Sequence, residues 1–255
     1  MMVGDEMRLS GTCGHVLEIA LLTAVPLVMG AALLTGTANA ALLMMVVVTL
    51  VLVLFFLGYE RSQPALRQIM PTLVLAACAA AGRILFAPIP DFKPLSAIAI
   101  IAGATLGPRN GFMVGALAAL TSNFFFGQGL WSPWQMYAWG VVGYVGGMLA
   151  RSGVFDNRTA GRPRVWALVL MGLASGALYG VIINAYGVLG FVRPLTWAGA
   201  LAYVAASLPF DAMHGVATAL FLAVLYGPWT RRIGRVVRKY GLWRLRGGPT
   251  VRSPA

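Results

Sequence analysis

The chain has 255 residues, of which 59% are hydrophobic and only 10% charged, with a mean hydropathy of +0.81 and a formal net charge of +12. Ordinary globular domains carry about a quarter charged residues, so this balance predicts a chain whose main solvent is lipid. The positive charge does not select nucleic acid, because its densest run, Arg231 to Arg252, contains no acid and no recognition element.

Apolar runs at about 16–35, 41–58, 66–87, 94–107, 111–127, 134–151, 165–187 and 205–227 predict eight helical spans. At 1.5 Å per residue most of them approach the ~30 Å of a hydrocarbon core. The first run has a signal-like Ala38-Asn39-Ala40, but Asp5 and Glu6 precede it and its apolar part is long, which predicts an uncleaved span. The fourth is short, as expected of a tilted segment or one that lines a cavity. Residues 188–204 are interrupted by Arg193 and Pro194. They fit either an outer loop or an early start to a long last helix kinked near Pro209.

Orientation follows from the basic residues. With both termini inside, 16 of the 19 Lys and Arg lie on the inner side, and only Arg83, Lys93 and Arg193 lie outside. This predicts a multi-pass protein of the cell membrane with cytoplasmic N- and C-termini. The division expected is 1–62 (two N-terminal spans), 63–230 (a six-helix core) and 231–255 (a basic tail touching anionic lipid).

Small residues recur at helical spacing, as in Ala77 and Ala81, Gly103 and Gly107, Gly143 and Gly147, and Gly172, Gly176 and Gly180. Three or four residues apart they share one helix face, which lets backbones approach closely. Cys13 and Cys78 carry no disulfide signal, and two distant histidines make no metal site.

Polar residues that must be explained gather on the outer side. One group is Arg83, Asp91 and Lys93, around a link stiffened by Pro88, Pro90 and Pro94. A second is Asn123 with Gln128, Trp131, Trp134 and Gln135. A third is Asp211 and His214, with Asn184 nearby. A carboxylate inside a span is costly unless paired, so Asp211 is expected to pair with Arg83, Lys93 or His214. The expected role of these eleven residues is substrate binding or a lid over it, with Trp131 and Trp134 closing on an apolar ligand surface. The bland alternative is an aromatic belt and solvated surface charges. No nucleophile elbow, catalytic carboxylate pair or phosphate loop is present, so neither an enzyme nor a cofactor is expected.

From about Pro64 to Tyr240 the chain resembles the substrate-binding membrane subunit, the S component, of energy-coupling factor (ECF) vitamin transporters. The resemblance rests on Leu75 to Arg83, Ile89 to Pro94, Ser122 to Met136 and Leu208 to His214. It implies an all-alpha polytopic membrane protein, with a six-helix S-component-like core plus two extra N-terminal transmembrane helices. It also implies capture of a vitamin or related micronutrient at the outer face, the pattern being closest to members tied to cobalamin or corrinoid uptake. The implied partners are a transmembrane coupling subunit, docked on Ala77 and Ala81, a role that Ala76 and Ala80 fit equally well, and two cytoplasmic ATPase subunits. The alternatives are a self-contained ion-coupled secondary transporter, a non-transport membrane scaffold and a membrane-embedded enzyme.

Overall fold

The computed structural model describes residues 16, 18–28, 31, 40–61, 66–157 and 162–239. Cys13, part of the first expected span and the tail beyond Lys239 lie outside the described residues. The helices are α1 (Glu18–Val28), α2 (Ala40–Arg61), α3 (Leu66–Leu85), α4 (Leu95–Leu106), α5 (Pro108–Phe126), α6 (Ser132–Arg151), α7 (Val165–Phe191) and α8 (Trp197–Lys239). Two short antiparallel strands, Asp156–Asn157 and Arg162–Pro163, flank the α6–α7 connection.

Helix α4 is the centre of the bundle. It packs against α3, α5, α6 and α8, and every residue from Leu95 to Gly103 is buried. A helix that is apolar all round needs such a sheath. Gly107, at φ +98°, turns the chain straight from α4 into α5. Glycine is the natural residue there, since a Cβ is strained at positive φ.

Three helices meet with almost no side chain between them. A Cβ on Gly103 or Gly111 would run into the Gly143 carbonyl, and one on Gly143 into the Gly111 carbonyl. A second glycine seam joins the last two helices. Gly172 faces Ala219, Gly176 faces Gly215 and Gly180 faces Asp211, so α7 and α8 run antiparallel. The glycine stripes of the sequence are therefore used for packing within the chain.

Helix α1 is tied to the bundle by polar bonds. Glu18 pairs with Arg109 of α5 and accepts from Tyr144 of α6, while Tyr137 donates to the Leu22 carbonyl. Beside them, Tyr59 and Thr72 both donate to Asn110 Oδ1.

The eight apolar runs are helical where they are described, but they are not eight membrane crossings. Among the described residues, only Val165–Phe191 and Trp197–Lys239 are long and apolar enough to cross a membrane. The apolar stretches Glu18–Val28, Met45–Glu60, Ile69–Leu85 and Leu95–Leu106 are shorter. This corrects the expected polytopic fold class, the S-component core and the multi-pass cell-membrane location. The physical reason is that an apolar run of this length is written alike by a span and by a core helix, and here the runs wrap one another. Apolar side chains do remain exposed along α7 and α8, among them Trp166, Leu170, Val181, Leu201 and Leu208.

Residues 188–204 divide between both earlier readings. α7 ends at Phe191, a loop containing the cis Arg193–Pro194 bond follows, and α8 starts at Trp197. It runs through Pro209 and Pro228 as one 43-residue helix.

Close packing at the glycines sets a test. Gly143→Ala is expected to destabilise the fold by about 1–3 kcal/mol in urea unfolding, since the methyl meets backbone. Gly58→Ala in α2, which has open space around it, is expected to raise stability by about 0.4–1 kcal/mol. Equal responses of the two variants would contradict the close approach.

Candidate functional site

Arg83, in the last turn of α3, is 5% exposed. Burying a guanidinium demands acceptors, and α5 supplies them. Arg83 Nη1 donates to Ser122 Oγ and to Asn123 Oδ1, both at 2.6 Å. Its Cζ also lies 4.5 Å from the Phe126 ring centroid and 4.8 Å from that of Trp139, within cation–π range. Burial pulls its pKa below the ordinary arginine range, opposed by Tyr179 and Asp91.

Asn123 passes the network on to α6. Its Nδ2 donates to Gln135 Oε1 at 2.8 Å and to Ser132 Oγ at 3.3 Å. Ser132 Oγ in turn donates to Gln128 Oε1 at 2.7 Å, and Gln128 Nε2 donates to the Leu120 carbonyl at 2.9 Å. The loop after α5 is thereby pinned at both ends of one glutamine side chain. Gly127 sits at φ +94° at its start.

A ring stack continues inward from Arg83. Trp139 lies 4.7 Å from Tyr179, and Tyr179 stacks 4.5 Å from the His214 ring. His214 Nε2 and Ser96 Oγ, from α8 and α4, share a 2.7 Å hydrogen bond. Among the described residues, Arg83 Nε, Trp134 Nε1 and Trp139 Nε1 are buried without an acceptor; Trp139 covers Arg83, whereas Trp134 packs on Tyr186.

Asp211 has partners other than those expected. It accepts from Asn184 Nδ2 and Ser207 Oγ, each at 2.9 Å, and Asn184 also donates to Ser207 at 2.6 Å. The lack of a Cβ on Gly180 leaves room for its carboxylate. It makes no ion pair with Arg83, Lys93 or His214; neutral donors stabilise the carboxylate instead.

Asp91 and Lys93 lie in the α3–α4 link, with Nζ 3.9 Å from Oδ1. Asp91 has φ 52°, a left-handed conformation that aspartate tolerates better than most residues. Trp131 is 41% exposed, whereas Trp134 is buried against Tyr186 at 5.7 Å. The two tryptophans therefore do different things, one at the surface and one in the core.

Arg83, Asn123, Gln128 and Gln135 thus belong to one bonded cluster, and Trp134 is buried on the same helix as Gln135. His214 reaches the cluster through its ring stack. Asp211 and Asn184 form a neighbouring one. Ala77 and Ala81 are exposed on α3, while Ala76, Ala79 and Ala80 are buried. The sequence reading missed Ser96, Ser122, Ser132, Trp139, Tyr179 and Ser207. Trp139 lies four residues after Gln135, and Ser207 four before Asp211, so helical spacing carried a signal for both.

A protein-family model described as "Family of unknown function (DUF6580)" matches residues 62–235. No curated protein and no solved structure matches the chain. With two candidate spans in place of eight, several expectations fall together. They are the vitamin importer function, its coupling subunit and two ATPases, lipid at the basic tail, and the multi-pass carrier and membrane scaffold offered as alternatives.

Burial raises the Asp91 carboxyl above its usual 3.8, against the pull of Lys93, and lowers the Lys93 amine below its usual 10.5. A raised carboxyl pKa means that burying the charged form costs stability above it, and the cost disappears as pH falls through the raised value towards 3.8. The unfolding free energy of the wild type, minus that of Asp91→Asn, is therefore expected to grow from pH 7 to pH 4. Asparagine keeps the left-handed backbone comfortable, so a difference that stays flat over this range would count against burial as the dominant cause.

Proposed function

We propose that this chain, which belongs to the DUF6580 family, is a small-molecule-binding protein whose ligand is a planar molecule bearing a carboxylate or similar acceptor group. The ligand sits at the Arg83 cluster. The observation that carries this reading is the set of three buried donors without acceptors, Arg83 Nε, Trp134 Nε1 and Trp139 Nε1. A buried donor left unpaired costs about 1–3 kcal/mol, so an unpaired Nε on the buried cation and an unpaired indole N–H on the ring beside it favour a partner from outside the chain.

The chemistry of the donors selects the class. A carboxylate can take two parallel bonds from the side of a guanidinium. Indole N–H groups donate only, and so add preference for further acceptor atoms. Phe126 and Trp139 present ring faces to the same cation, and Tyr179 packs against Trp139 behind them, which suits a flat ligand. Phe126 and Trp131 are each 41% exposed, and they mark the side by which a ligand would enter.

Binding without chemistry is the reading we favour. Ser96 and His214 share a hydrogen bond, but the serine is 1% exposed and the imidazole is enclosed by two aromatic rings. The pair serves to join α4 to α8.

The test uses benzoate and indole-3-carboxylate as probes, with benzamide as the neutral control, in thermal unfolding and calorimetry of the full chain. The acids are expected to stabilise the protein and the amide to do so far less. Trp139→Phe keeps a ring and removes one donor, so it is expected to weaken acid binding by about 10-fold. Arg83→Met is expected to abolish it, at a folding cost of about 3–5 kcal/mol from the partners left unpaired. Equal responses to acid and amide, or no effect of Trp139→Phe, would remove the proposal.

A further inference from the structure

The C-terminal end of α8 has a different chemistry. Arg231 lies ~25 Å along the helix from His214, at 1.5 Å per residue. There Arg231, Arg232, Arg235 and Arg238, with Gly234 between them, line an open cleft of about 680 Å³. Arg231, Arg235 and Arg238 are spaced i, i+4, i+7, which places them within ~60° of one another around the helix and spreads them over ~10 Å of its length.

Among the described residues, no carboxylate comes within 4.0 Å of any of these four guanidinium groups. All four side chains are exposed. A Cβ placed on Gly234 would meet nothing within 4 Å, so the cleft floor beside Arg238 is open. A second cleft of about 320 Å³ shares Thr230, Gly234 and Arg238 with the first, and reaches Thr105 of α4 and Ala150 of α6. Arg238 therefore borders a recess against the bundle, and the other three arginines line the α8 surface beside it. Their place in the last turns of α8 also suits them, since the helix dipole favours cations there.

We propose that this cleft binds a compact polyphosphate anion. Three guanidinium forks on one face match an anion whose charge is spread over several phosphate groups, because each fork can take two oxygens of a phosphate. The carboxylate ligand of the Arg83 cluster needs one cation among aromatic rings, so the two sites select different ligands and stand independently.

Inorganic triphosphate, titrated calorimetrically into the full chain, is the direct probe. One-to-one binding is expected, weakened by about 10-fold in Arg235→Gln and again in Arg238→Gln. Arg244, Arg246 and Arg252 are unchanged in these variants, so a loss is assigned to the helix. Arg235→Lys and Arg238→Lys keep the charge and lose the fork, and each is expected to bind several-fold more weakly than wild type. Lysine variants that bind as tightly as wild type would reduce the site to unspecific charge attraction and overturn the proposal. Glutamine variants without effect, or no triphosphate binding at all, would do the same. Phosphate could also arrive on a lipid headgroup. Capture by vesicles containing phosphatidic acid, with no binding of free triphosphate, would overturn the free-anion assignment.

Discussion

One buried guanidinium organises this end of the molecule. Arg83 cannot shed its proton at any ordinary pH, so the fold must surround it with acceptors and ring faces or lose several kcal/mol. Ser122 and Asn123 meet that demand from α5, and Phe126 and Trp139 cover the cation from two helices. Asn123 is then committed on both sides, accepting from Arg83 and donating to Gln135 and Ser132. The chain of bonds fixes how α3, α5 and α6 meet. An apolar residue at position 83 would remove the need for all of it.

The glycine contacts explain why such a network can be so short. Where α4, α5 and α6 touch through Gly103, Gly111 and Gly143, helix axes come closer than side-chain-filled interfaces allow. On another face α4 packs on α8, and Ser96 in its first turn reaches His214 directly at 2.7 Å. The same economy holds between α7 and α8, where Gly180 leaves the space that the Asp211 carboxylate fills. Packing and polar satisfaction are therefore one arrangement: the absence of a side chain at one position admits a charged one from the facing helix.

Much of this was legible in the sequence, and what was not has physical causes. The apolar runs marked α2 to α7 to within a few residues, while α8 extends well past both ends of the run at 205–227; Arg83, Asn123 and Gln135 stood out because polar groups in apolar helices require partners. Which partners they chose was not legible. Asp211 was expected to seek a cation, yet two neutral donors at hydrogen-bond distance satisfy it. Ser96 and Tyr179 lie in strongly apolar helices with no charged residue, so little in one dimension distinguished them from packing residues. The largest error concerned solvent. Apolar composition alone cannot say whether a helix faces lipid or other helices, and α4, wrapped on all sides, shows how far a 12-residue run can be read the wrong way.

The two arginine sites show how differently one residue type can be used. Arg83, at one end of the bundle, is costly to bury, and its worth depends on fixed acceptors and on what else it contacts. Arg231, Arg235 and Arg238, at the other end, keep their hydration and cost the fold little, but exposed charges also contribute little to its stability. Stability therefore explains neither set well. A buried arginine with an unpaired Nε is poor design for a core, and three aligned arginines without acids are poor design for a surface that only has to stay in water. A binding role accounts for both, because the partner that would repay each arrangement is an anion from outside the chain. The geometry then separates the two: a ring-lined enclosure around one cation favours a single flat acid, and an open row of forks favours several phosphates at once.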